Sequence, residues 1–183
     1  MRRTSAGTKA TILAAARERF AADGYERATI RAIAADAAID PSMVMRYFGN
    51  KKQLFAAAAD LDLLLPDLAR VQRRKLGSVL VAHFLDRWET DDALKVLLRT
   101  ALSNDAAAAR MQTIFATQLT QAVGKLAADP AEAALRAGLI ATQVLGMAFC
   151  RYLLRLPPVS AMTRDEVVAW LGPTLQRYAA GSC

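Results

Sequence analysis

The chain has 183 residues, 54% of them hydrophobic and 22% charged, enough for a sizeable core shared between one small and one larger unit. No apolar run reaches the roughly 18 residues of a membrane span, and the stretch after the basic start MRRTSAG is too short for a secretion signal, so the protein is expected in the cytoplasm with no membrane partner. The net charge of +7 is uneven: residues 1–55 hold 10 Lys and Arg against 5 Asp and Glu, net +5, and residues 56–183 hold 14 against 12, net +2, which fits a polyanion-binding head on a nearly neutral body or an ordinary solvated surface.

Apolar residues recur at helical spacing and nowhere alternate for long, which predicts an all-α fold. A first helix is expected after Thr8 as N-cap, running to about Asp23, with Ile12, Ala16 and Phe20 on its inner stripe and Gly24 as its stop. Thr29 can cap a second, short helix whose inner face is Ile30, Ile33, Ala34 and Ala37. Asp40 can cap a third, with Pro41 at the first helical position, where its missing N–H costs nothing, and Gly49 at its end. A fourth helix is expected from Lys51 to about Leu65, stopped by Pro66. Longer helices are expected within Asp67 to Glu89, from Asp91 to Leu102, from Asn104 to Ala128 and from Pro130 to Leu156, the last carrying AGLIATQVLGMAFC as a buried segment. Pro157-Pro158 breaks the chain, Thr163 and Glu166 form a capping box that opens the final helix, and Gly172-Pro173 should bend or weaken it. Cys150 and Cys183 have no metal-site spacing and read as unpaired thiols.

Three short helices within about 45 residues, the second and third joined by a tight link, are the layout of a helix-turn-helix unit. On the third helix Val44 and Phe48 point together toward the core, Ser42 and Arg46 lie opposite, Met43 and Met45 flank them and Tyr47 lies near the edge. A small hydroxyl, a guanidinium and two thioethers on one face can read base edges and thymine methyls in a major groove; the alternative is an ordinary surface helix.

Residues 8–55, TKATILAAARERFAADGYERATIRAIAADAAIDPSMVMRYFGNKKQLF, resemble the DNA-binding domain of the tetracycline-repressor (TetR) family of bacterial transcription regulators, and the DPSMV.RYFG.K variant resembles a branch common in actinobacteria. The resemblance implies a helix-turn-helix domain over residues 1–52 and a helical effector-binding and dimerisation domain over 53–183. It implies that Thr29 caps the second helix and touches a phosphate, that Arg31 reaches a base edge or the backbone, and that Pro41, Ser42, Met43, Met45 and Arg46 face the major groove. Tyr47 and Lys51 would contact phosphates, and Arg2 and Arg3 would form a basic arm. Two positions depart from the family pattern: Ala38 stands where Gly is usual in the turn, and Met45 where Tyr is usual.

In the body, Ala134, Gly138, Thr142 and Gly146 form a stripe of small side chains, and Val167, Leu171, Leu175 and Tyr178 an apolar face on the last helix. These could form a dimer interface or pack within one chain. A homodimer is implied by the family and needed to hold two reading helices about one DNA turn apart. An effector cavity is likewise implied; Phe84, Trp88, Phe115, Gln118, Gln121, Gln143, Met147 and Phe149 are the candidates, suited to a small hydrophobic molecule. No cofactor is expected. His83 stands alone, with no nucleophile motif, metal spacing or phosphate loop, so no enzymatic activity is expected. The reading is a DNA-binding regulator, a ligand-responsive repressor of a pseudo-palindromic operator, with a helical scaffold bearing a degenerate head as the alternative.

Overall fold

A computed structural model describes residues 5–58, 61–127 and 129–181. Arg2, Arg3 and Cys183 lie outside the described residues. The described residues form helices joined by short irregular links, with no strand among them: α1 (Ser5–Arg27), α2 (Ile30–Asp36), α3 (Pro41–Phe48), α4 (Lys51–Ala58), α5 (Leu76–Thr90), α6 (Asp92–Ala101), α7 (Asp105–Ile114), α8 (Thr120–Gly124), α9 (Pro130–Ala148), α10 (Pro157–Ala161) and α11 (Arg164–Ala180). Single π-turns, Phe115–Leu119 and Phe149–Leu153, follow α7 and α9. By internal contacts the chain divides into two compact units, Met1–Leu61 with Asp92–Arg110, and Asp62–Asp91 with Met111–Cys183.

In the first unit α1 begins at Ser5, before the expected cap, and Thr8 is a buried residue inside it. Gly24, at φ 74°, kinks the helix where a stop was expected. Ile12, Ala16 and Phe20 are buried as their spacing predicts, beside Ile33, Val44, Phe48, Leu54 and Phe55. The Phe55 ring meets Phe20 and Tyr25 edge-on, each at 5.0 Å between centroids. Each such fully buried side chain contributes about 1.5 to 3 kcal/mol relative to exposure. Arg17 Nε donates to the Ala58 carbonyl at 2.9 Å and so closes the end of α4 against α1.

Three element expectations are corrected. The fourth helix ends at Ala58, and Leu61–Asp67 is irregular. The stretch after Asp67 makes two short 3-10 turns, Leu68–Arg70 and Arg73–Lys75, before α5 starts. Pro157-Pro158 opens the short α10, proline being tolerated at the first helical position.

In the second unit α11 packs along α5, entering through its expected capping box of Thr163 and Glu166. Pro173 sits inside a helix that continues, because Gly172 is buried against α5 and Gly77 leaves room for it: a Cβ on Gly77 would fall on the Gly172 carbonyl and the Gln176 backbone. Among the described side chains of α9, Ala133, Ala137, Ile140, Val144 and Ala148 are the buried ones, so the segment expected to be buried shows its other face to the surface. Ala131–Leu153 has the length and mean hydropathy (1.5) of a membrane span, which corrects the expectation that no run reaches it. A helix that packs one face on a helical body meets the same criteria.

Candidate nucleic-acid interface

Each short helix of the head is started and stopped by a local device. Thr29 Oγ1 accepts from Ala32 N at 3.1 Å, capping α2. At the other end Ala38 adopts φ 52°; its N–H donates to Ala35 O and that of Ile39 to Ala34 O, the paired bonds of a Schellman stop. Ala38 thus takes the left-handed conformation of the family glycine, at a cost of roughly 1 kcal/mol. Asp40 Oδ1 accepts from Ser42 N at 2.8 Å, and the Ser42 hydroxyl and N–H hold the Asp40 carboxyl below the usual carboxylate range. Gly49, at φ 76°, ends α3, and Asn50 Oδ1 accepts from Gln53 N at 2.8 Å to start α4.

A second layer of contacts sets these helices against α1. Arg19 holds Asp36 of α2 with two bonds, Nε to Oδ2 at 2.7 Å and the second guanidinium nitrogen to Oδ1 at 2.5 Å, and reaches Asp23 at 3.2 Å. The hydrogen bonds from Arg19 hold the Asp36 carboxyl low and raise the guanidinium in turn. The Tyr47 hydroxyl meets Ser5 Oγ at 3.2 Å, and Lys9 lies 5.7 Å from the Phe48 ring. Ser5 and Lys9 were not singled out from sequence; the helix starts earlier than expected and brings them beside α3.

On α3, Val44 and Phe48 are buried while Pro41, Ser42, Met45 and Arg46 are exposed and Met43 and Tyr47 are half-exposed. Met45 is 44% exposed, a large apolar side chain left in water. The Arg46 guanidinium stands 5.8 Å from the Tyr47 ring. Thr29 and Arg31 are exposed at the start of α2. Lys51 is more committed than expected: its ammonium donates to the Glu26 carbonyl at 3.0 Å and lies 4.6 Å from the Tyr25 ring. An exposed, capped helix with a hydroxyl, a guanidinium and a thioether outward is suited to base edges, and the neighbouring helix starts to phosphates.

Residues 12–58 match the family described as bacterial regulatory proteins, tetR family, and residues 75–179, more than half of the chain, match the tetracyclin repressor-like C-terminal domain. The chain belongs to the TetR family. It is similar to a TetR-family regulator from Streptomyces coelicolor, at 27% identity and TM-score 0.72 over 98% of both chains. A TetR-like transcriptional regulator from Rhodococcus sp. RHA1 shares 21% identity at TM-score 0.66 over 99% of this chain and 100% of that one. GusR of Salmonella enterica shares the fold at 18% identity and TM-score 0.65 over 96% and 98%. No curated protein matches the chain.

As a TetR-family member the protein is a DNA-binding transcriptional regulator with an N-terminal helix-turn-helix. Its body arranges the remaining candidates differently from a single pocket. Phe84, Trp88 and Phe115 are buried, the first and last stacked at 6.1 Å. Gln118 and Gln121 line a polar cleft, Gln143 and Met147 a groove between α9 and α11, and Phe149 is half-exposed on its π-turn. Val167 and Leu175 are corrected as surface candidates, since they belong to the face of α11 that packs inward. Ala134, Gly138, Thr142 and Gly146 are exposed, Leu171 and Tyr178 half-exposed, and Trp170, missed from sequence, is 78% exposed.

Proposed function

We propose that this regulator is a repressor that binds a pseudo-palindromic operator as a homodimer, in the cytoplasm, and releases it when a small molecule binds the body. The observation that carries the reading is the outer face of α3, where Ser42, Met45 and Arg46 are exposed on a helix anchored by buried Val44 and Phe48. Residues 1–52 form the DNA-binding domain and 53–183 the effector and dimerisation domain. Pro41, Ser42, Met43, Met45 and Arg46 face the bases; Thr29, Tyr47 and Lys51 hold the sugar-phosphate backbone, Arg31 reaches a base edge or the backbone, and Arg2 and Arg3 form an arm. The actinobacterial-type branch is supported by the likeness to the Streptomyces and Rhodococcus proteins. Release is a population shift: an effector preferring a head spacing unlike that of the operator weakens binding by its differential affinity for the two states.

A gel shift on DNA upstream of the regulator's own gene and its neighbours tests this reading, and the expected result is a band that survives competitor DNA. Arg46→Ala should lose about 1 to 3 kcal/mol of discrimination at one base pair per half-site. Lys51→Ala should weaken all sequences alike and lower the salt slope by about one. Equal losses on specific and random DNA for Arg46→Ala would show that Arg46 reads no base.

A further inference from the structure

The segment between α4 and α5 is held in the second unit by side chains. Leu63 is fully buried; its N–H donates to Gln118 Oε1 at 2.7 Å, and its carbonyl lies 2.8 Å from His83 Nε2, which must carry the proton because a carbonyl oxygen only accepts. The Asp62 carbonyl accepts from Arg87 at 3.1 Å. Leu64 then takes φ 50° with its side chain 59% exposed, a conformation a leucine keeps only where its surroundings impose it. Gln118 stands on the π-turn after α7, an irregularity found mostly at functional sites.

Beside this latch lies a cleft of about 320 Å³ whose walls include Asp62, Pro66, Asp67, Gln118, Gln121 and Lys125. That volume suits a small molecule, and the walls ask for a polar one. Lys125 and Asp67 face each other at 3.5 Å, with Arg70 3.3 Å from Asp67. Asp62 uses one carboxylate oxygen on the Leu64 N–H at 2.9 Å, and among the described residues no cation pairs with it. Asp62 is thus the carboxylate of the cleft without a cationic partner among the described residues, and it shares the cleft's lining with the Gln118 and Gln121 amides.

We propose that this cleft is the effector site, taking a short aliphatic amine whose ammonium pairs with Asp62 and whose binding draws the Gln118 amide away from Leu63. The inference rests on the ligand-responsive reading above. With Gln118 engaged by the ligand, the buried Leu63 N–H has lost its acceptor and the strained Leu64 its restraint, so the segment that continues α4 changes its equilibrium conformation.

The test uses the full chain, with putrescine as the probe at fixed ionic strength. Calorimetry should show saturable binding, weakened at least about tenfold by Asp62→Asn, which retains the acceptor for Leu64 N–H, and strengthened by Lys125→Met, which removes the counter-charge of Asp67. Operator affinity should fall with putrescine for the unmodified chain and stay constant for Asp62→Asn. Gln118→Ala should bind operator weakly from the start and respond no further. Equal binding by the Asp62→Asn variant, or saturable binding of succinate in place of putrescine, overturns the assignment. Operator binding that putrescine leaves unchanged refutes this inference alone, whereas absence of operator binding without any ligand refutes the regulator reading beneath it.

Discussion

Ala38 is exposed, donates its N–H to the Ala35 carbonyl, and has the one backbone angle its side chain disfavours. Ala38→Gly should therefore raise stability by about 0.5 to 1 kcal/mol in urea unfolding, the relief of left-handed strain exceeding the entropy gained by the unfolded chain. A loss would mean the turn is not left-handed in solution. At this scale the local signals were the most legible: Thr29, Asp40 and Thr163 cap as their spacing indicates, because a cap depends only on neighbours two or three residues away. His83 was not legible, since its partner carbonyl lies twenty residues away in sequence. Burial is the main cause that lowers the His83 pKa; the Leu63 carbonyl raises it, Arg87 lowers it and Asp86 raises it. A depressed folded value means the unfolded chain takes up its proton first, so His83 contributes stability above about pH 6.5 that is lost as pH falls through the folded value. His83→Gln, which can still donate to Leu63, should remove that part of the pH–stability curve. Asp36 and Asp40, both held low, add a separate loss that begins below about pH 4.

Among the elements, those set by caps and breakers were readable and those set by distant partners were not. The run LDLLLPDL has the composition of a helix, yet the structure gives the Leu63 backbone to two side chains from other helices, 20 and 55 residues away, and the helix ends first. α11 carries Pro173 without ending there for a related reason: packing of α11 on α5 outweighs one missing bond. Two glycines separate packing from propensity. Gly77→Ala should cost about 1 to 3 kcal/mol or more, because its methyl meets backbone, which cannot turn aside. Gly138→Ala should gain about 1 kcal/mol, since nothing stands within 4 Å of its Cβ and alanine is the better helix former. Thermal unfolding of the two variants should move in opposite directions; a gain for Gly77→Ala would show that α5 and α11 are not in such close approach.

At the scale of the whole molecule, the proposed binding of two heads to one DNA needs a dimer interface, and the exposed face of α9 is the candidate for it. A Cβ added at Gly138 or Gly146 would meet nothing within 4 Å, Thr142 satisfies its hydroxyl on the Gly138 carbonyl, and Trp170 stands 78% exposed beside the same groove. Such a surface, smooth and apolar with a large aromatic at its edge, has the composition of an interface core, and a stable pair would need about 800 Å² from each copy. The double substitution Gly138→Phe with Gly146→Phe should leave each chain folded, because both positions face outward and a Cβ at either meets nothing within 4 Å, while keeping two copies of α9 apart. Sedimentation should then show a monomer with full helical content, and operator affinity should collapse while weak binding to random DNA persists. Tryptophan emission supplies an internal check. Of the two tryptophans, Trp88 is fully buried, so a shift to longer wavelength on dissociation reports Trp170 entering water. A variant that stays dimeric with unshifted emission would place the interface elsewhere and leave the exposed face of α9 for another partner.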